Sequence, residues 1–293
     1  MACPFCTSAR SALVHTASSP TGLGAVCYYR CRSCASIYQH PLPSPEGLCA
    51  YYERYLDVKA RMNPGYLDPA SVLSVRRERS LTFREIGFDP GRIACGTNAE
   101  LGCANGLFLR YLVEEGSLRT IGLDLSESLL SAIVLSGVRI LHGGLELLDE
   151  KSVDNLYLFN VAEHALDIEA LFYQASRVLA QEGCVVLELP LSGLVSRFFG
   201  QKWRFLMPDE HLAIPSMKGL RILLRKTGFT IRGQTRFGSG WTSGSIYRPI
   251  KRLCDFAAKH LGFGDRGCFL LEYRNPVAPR FFGLIQGCVR TKK

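Results

Sequence analysis

No uninterrupted apolar run in this 293-residue chain is long enough to cross a membrane as a helix, so a protein built on such helices is excluded. A signal-peptide pattern is also missing. Met1 is followed almost at once by Cys3-Pro4-Phe5-Cys6, so the expectation is a cytoplasmic protein whose first residues belong to a folded unit. Of the twelve cysteines, eight are scattered singly, which argues against a disulfide framework in a large chain from a reducing compartment. No basic run interleaved with aromatics marks a nucleic-acid strip. The net charge of +9 still permits an acidic partner: a phosphate-bearing substrate, nucleic acid or a membrane surface. A basic surface with no dedicated anion partner accounts for that charge as well. The length holds one large domain, or one domain with a small accessory unit.

What the chain does have begins with Glu100-Leu101-Gly102-Cys103-Ala104-Asn105-Gly106. An acidic residue ends a short apolar run, a turn of small residues follows, and Leu107, Phe108, Leu109 and Leu112 then recur at helical spacing. That is a strand–turn–helix signal. Small residues let a ligand approach the backbone, and the helix start offers unpaired N–H groups. Eighteen residues beyond Gly106, Thr120-Ile121-Gly122-Leu123-Asp124 predicts a second strand ending in a carboxylate suited to ribose hydroxyls. A bare βα turn explains the first signal equally well when it is taken alone.

The four remaining cysteines do form a pattern. Cys3 and Cys6 are spaced C-x-x-C, and Cys31 and Cys34 repeat that spacing. Two such turns present four thiolates, a set suited to structural Zn2+ with no position left open. Three prolines between Pro41 and Pro45 mark a connector, followed by an aromatic helix carrying Tyr51, Tyr52 and Tyr55. A second helix is expected over 72–86. The first core strand is expected over Ile93–Glu100, although Asn98 interrupts its apolar run.

Downstream stand Leu156-Tyr157-Leu158-Phe159-Asn160, Glu163-His164-Ala165-Leu166-Asp167, Arg177-Val178-Leu179 and Cys184-Val185-Val186-Leu187-Glu188-Leu189-Pro190. Together with the glycine turn and Ile121-Gly122-Leu123-Asp124, this series resembles the class I S-adenosylmethionine-dependent methyltransferases over about residues 93–237. The order of cysteine knuckles, Pro-x-Pro and Tyr-Tyr-x-x-Tyr further resembles a bacterial group that carries an N-terminal zinc ribbon. Many of that group act on sugars or other small metabolites.

The resemblance implies an α/β fold, a doubly wound and mostly parallel seven-stranded Rossmann-like sheet, with a small zinc-ribbon unit. It divides the chain into a ribbon over 1–40, a connector and helical lid over 41–92, and the methyltransferase domain over 93–293. S-adenosylmethionine would be held by Glu100, Gly102, Ala104, Gly106, Asp124, Leu125 and Asn160. Where the family offers an Asp to adenine, this chain has none, which leaves backbone around Gly144 and Leu145, with Glu146 as a weaker substitute. Tyr51, Tyr52, Tyr55, Trp203 and Glu210 are expected on the substrate side, with His211 and His164 as catalytic candidates. Each histidine has a plainer reading, as a residue that fixes a loop or caps a helix.

The implied function is methyl transfer to a small polar metabolite, a sugar or sugar-derived hydroxyl. Two alternatives remain at this point: an RNA methyltransferase, and a non-catalytic zinc-ribbon protein on a degenerate fold. The segment Asn160-Val161-Ala162-Glu163 lacks the Pro-Pro-aromatic turn of many nucleic-acid amino-methyltransferases. Residues 246–261 form an amphipathic stripe that suits a membrane surface, a partner or the protein's own core. The last strand is expected at Arg280–Ile285, antiparallel to the one opening at Phe229.

Overall fold

A computed structural model describes residues 1–22, 24–54, 71–238, 256 and 263–274. Within them the chain builds two sheets. The larger has seven strands: β4 (Thr97–Leu101), β5 (Arg119–Asp124), β6 (Val138–His142), β7 (Val153–Phe159), β8 (Leu179–Pro190), β10 (Phe229–Phe237) and β11 (Arg266–Tyr273). Their order is β10-β11-β8-β7-β4-β5-β6. The five from β8 to β6 run parallel, and β11 lies antiparallel between β8 and β10. Apolar runs such as Leu156-Tyr157-Leu158 and Val185-Val186-Leu187 are wholly buried, as a parallel sheet covered on both faces requires.

The order reverses at β4, whose neighbours are β5 on one side and β7 on the other. In such sheets the crevice for a ligand opens outside the carboxyl ends of the strands at that point. Glu100, Asp124, Asn160 and Glu188 stand at or beside those ends.

Two expected strands are corrected. Ile93, Ala94 and Cys95 close a short helix, Gly91–Cys95, and β4 starts only at Thr97. Asn98 has a structural reason to be there. Its Nδ2 donates to the carbonyls of Ile93 (2.8 Å) and Gly96 (3.1 Å), and its Oδ1 accepts from Asn155 Nδ2 and Tyr157 Oη. A buried amide thus ties the helix to two strands where an aliphatic residue would leave those carbonyls unmet. The antiparallel partner of β10 is β11, upstream of 280–285, which lies outside the described residues. The 246–261 stripe also lies outside them apart from Phe256.

The smaller sheet is antiparallel, in the order β1 (Ser11–Ser18), β2 (Ala25–Cys31), β3 (Ile37–His40) and β9 (Ala213–Ile214). Its last strand comes from the segment between β8 and β10, so the cysteine unit shares a sheet with the main domain. The second cysteine knuckle sits on the start of helix Met217–Lys226. Ser216 Oγ donates to the Cys34 carbonyl while accepting from Gly219 N–H, Ser192 Oγ donates to the Ala35 carbonyl, and Lys218 Nζ to that of Ser33. A Cβ on Gly219 would meet Ser36 Oγ at 2.0 Å, so only glycine admits this approach. Phe5, Cys3 and Cys34 are buried with Leu220 and Ala213 in one apolar cluster.

Candidate active site

The turn after β4 is held by its own backbone. Gly102 and Cys103 N–H both donate to the Leu123 carbonyl, and Ala104 N–H donates to Asp124 Oδ2 at 2.9 Å. Asp124 Oδ1 accepts from Ser126 N–H, also at 2.9 Å. The carboxylate is therefore fixed between two strand ends, and each oxygen retains a lone pair for a ligand hydroxyl. Burial raises its pKa, and the amides of Ser126, Ala104 and Leu125 oppose that rise. Gly102 (φ 73°) and Ala104 (φ 49°) adopt left-handed backbone. A Cβ on Gly102 would stand 2.5 Å from Val161 Cγ2, so the turn and the loop after β7 form a cradle that a side chain would fill.

Glu100 is buried at the base of this cradle. No described residue donates to its Oε2, and burial pushes its pKa up to about 8, with Arg79 pulling the other way. An orphaned carboxylate beneath a small-residue turn suits the cationic methionine end of S-adenosylmethionine. Leu125 contributes its carbonyl to His142 Nε2 at 3.0 Å, and Glu146 Oε1 accepts from Gly144 N–H within its own loop.

Asn160 has φ 53°, its N–H donates to the Glu188 carbonyl, and its Nδ2 lies 3.4 Å from Glu188 Oε1. Glu188 itself was not foreseen as a site residue. It pairs with Arg79 from helix Ser71–Ile86 and with Arg266 from β11. The one sequence signal was a charge inside the apolar run Val185–Leu189. Its two distant partners left none. Burial alone would raise the Glu188 pKa, but the two guanidiniums outweigh it and hold it down to about 2. A depressed carboxylate stabilises the fold above its ordinary value of 4.5, and that stabilisation is lost as the pH falls through about 2. Glu188→Gln should flatten this acid limb in denaturant titrations run across that window. An unchanged slope would assign the limb to other carboxylates.

Past β7, the turn Ala162–His164 brings Glu163 and His164 beside His211. The His164 and His211 ring centroids are 5.0 Å apart. Tyr52, from helix Pro45–Glu53, places its hydroxyl 2.8 Å from His164 Nδ1, which leaves Nε2 on the Glu163 side, 3.8 Å from Oε1. His211 Nδ1 lies 2.9 Å from the Phe205 carbonyl. A carbonyl only accepts, so Nδ1 carries the proton and Nε2 the lone pair in neutral His211. Burial pushes Glu163 up to about 8, against its own amide and Arg266.

The loop carrying His211 is anchored by Asp209. This carboxylate accepts from Ser19 and Thr21 at the β1–β2 turn and from Gln39 Nε2 of β3. Burial opposes its ionisation, but those hydrogen bonds win and hold its pKa below the ordinary value. Glu210 is buried near Tyr51 and Tyr52, and it raises both hydroxyl pKa values after burial itself. Between Trp203 and His211 stands the Phe205 ring, which contacts both. Trp203 is 2% exposed in a cluster with Tyr28, Ile37, Phe205 and Ile214, and its indole N–H donates to Asp265. Tyr55 lies outside the described residues.

The four N-terminal sulfurs all lie within 4.8 Å of one another, with Cys3–Cys34 at 3.6 Å and Cys6–Cys31 at 3.5 Å. Four thiols converging at that spacing fit a tetrahedral structural Zn2+.

Residues 97–234 match the family model described as a methyltransferase domain. Those residues carry a methyltransferase domain, and its fold is that of the class I S-adenosylmethionine-dependent methyltransferases. The methyltransferase fold is also found among solved structures. One from Archaeoglobus fulgidus, a SAM-dependent methyltransferase, is 18% identical with a TM-score of 0.50, covering 69% of this chain and 94% of its own. A Thermotoga maritima protein described as a possible histamine N-methyltransferase is 18% identical at TM-score 0.50, over 78% and 100% of the two chains. A chain from the complex of the Haloferax volcanii Trm112 methyltransferase activator with the putative methyltransferase is 16% identical at TM-score 0.51, over 76% and 96%. These likenesses concern the fold. A search of curated proteins finds no match. No helix among the described residues is long and apolar enough to cross a membrane.

Proposed function

We propose that this methyltransferase modifies a small polar metabolite, a sugar or sugar-derived hydroxyl, with His211 as the general base. The burial of His211 carries this reading. It is 6% exposed, beside Phe205 and His164, so an acceptor that reaches its Nε2 must be small or must insert a single group. Bound S-adenosylmethionine supplies a methyl group activated on a sulfonium. The chain would hold it through the Gly102–Gly106 cradle, Glu100, the Asp124 carboxylate on ribose hydroxyls and the Asn160 turn. His211 Nε2 would take the proton of the acceptor hydroxyl. Tyr52 orients His164 beside it, and Tyr51 and Glu210 line the approach. Alignment and exclusion of water supply the rest of the acceleration.

Asp124→Ala is expected to weaken cofactor binding by about 1.5–3 kcal/mol, roughly ten- to a hundredfold, while leaving the fold intact. Calorimetry with S-adenosylmethionine checks this, and an unchanged affinity would put the ribose acid elsewhere. The substrate class is tested by supplying labelled cofactor with nucleotide-activated sugars, other small hydroxylated metabolites and RNA. Transfer to RNA alone would overturn it.

A further inference from the structure

Glu163, His164 and His211 each present one ligand atom, and the three atoms lie within 4.8 Å of one another. Glu163 is wholly buried, and no other described residue donates a hydrogen bond to either carboxylate oxygen. A buried carboxyl group that makes no hydrogen bond is costly, and a cation beside it would offset that cost. The guanidinium of Arg266 forms its ion pair with Glu188, and none with Glu163. The two imidazoles are turned alike. His211 donates from Nδ1 to the Phe205 carbonyl, and His164 has Nδ1 against the Tyr52 hydroxyl. In both rings Nδ1 meets a polar group from another segment, which fixes the ring plane. Histidines that bind metals are oriented by such outer contacts.

We propose that Glu163, His164 and His211 form a second metal site, for a divalent transition ion of the zinc type. Two imidazoles and one carboxylate are a donor set for such ions, and three protein ligands leave a position open, unlike the closed four-cysteine site. The inference goes beyond the methyl-transfer reading, since binding needs neither cofactor nor acceptor. An ion at this site takes up the His211 Nε2 lone pair, so the ion and the acceptor's proton are alternatives there. The open position then offers an acceptor oxygen a Lewis acid in place of a base.

The test uses the full chain with zinc retained on the four cysteines and loosely held metal removed by mild chelation. Cobalt(II) is then titrated in. The expected result is one further equivalent, seen as visible ligand-field absorption without a thiolate charge-transfer band. Glu163→Gln and His211→Ala should each weaken it by more than the roughly 10–100-fold that loss of an outer partner costs, and Tyr52→Phe should fall within that range. Zinc content and thermal unfolding report whether each variant is folded, and His164→Gln replaces any that is not. Absence of a saturable cobalt band overturns the site. So does a band with thiolate charge transfer, or affinity undiminished in the folded ligand variants.

Discussion

His211→Ala is expected to lower turnover by about 10²–10⁴-fold, the usual contribution of a general base, with little change in cofactor affinity. The asymmetry follows from where His211 sits. It stands on the loop before β9, whereas the proposed cofactor contacts belong to the turns after β4, β5 and β7. Turnover at saturating cofactor, set beside a calorimetric dissociation constant, separates the two. A loss of only severalfold would make His211 a residue that positions its loop, and the proton acceptor would be sought at His164. Tyr52→Phe serves as the companion variant, since it removes the hydroxyl 2.8 Å from His164 Nδ1 and leaves His211 in place.

Cys31→Ser should have the larger structural effect. One thiolate of four is lost, and structural zinc sites of this kind contribute about 10–16 kcal/mol of apparent binding energy to folding. The consequences should reach beyond residues 1–40. The knuckle is stitched to Ser216, Ser192 and Lys218, and the β1–β2 turn and β3 hold Asp209. Freed from those contacts, the loop carrying Glu210 and His211 loses its anchor, so turnover should fall together with zinc content. Metal analysis and limited proteolysis check both parts. Zinc retained in the variant would mean that the ligand set is wrong. Zinc lost with turnover intact would mean that the ribbon does not position the loop.

Much of the fold was legible in the residues because its signals are local. Ser126 and Ser216 cap their helices with hydrogen bonds to Leu129 and Gly219 N–H, as short polar residues ahead of apolar periodicity suggest. The glycine turn, the strand ending at Asp124 and the spacing of Cys3, Cys6, Cys31 and Cys34 are also encoded within a few residues each. Where local pattern and structure differ, a tertiary partner is responsible. Ile93 reads as strand until Asn98 is seen bonding the carbonyls that close its helix. The antiparallel partner of β10 could not be told from a later apolar run, since pairing across such a distance leaves no local mark. Trp203 and Glu210 both looked like pocket residues beside His211. The structure packs the indole between the small sheet and its neighbouring loop, with Asp265 on its N–H.

By itself, then, the sequence determined most of the main domain's elements, the glycine turn, the acid that ends the next strand and the paired spacing of the four cysteines. Each depends on backbone geometry or ligand spacing within a short stretch. Only the tertiary structure decided that the cysteine unit shares a sheet with β9, that Asp209 ties its hairpin to the His211 loop, and that Arg79 and Arg266 converge on Glu188. It also decided that Tyr52, Glu163, His164 and His211 meet. Those residues come from segments far apart in the chain, and their proximity arises from burial and strand pairing, which no local pattern records.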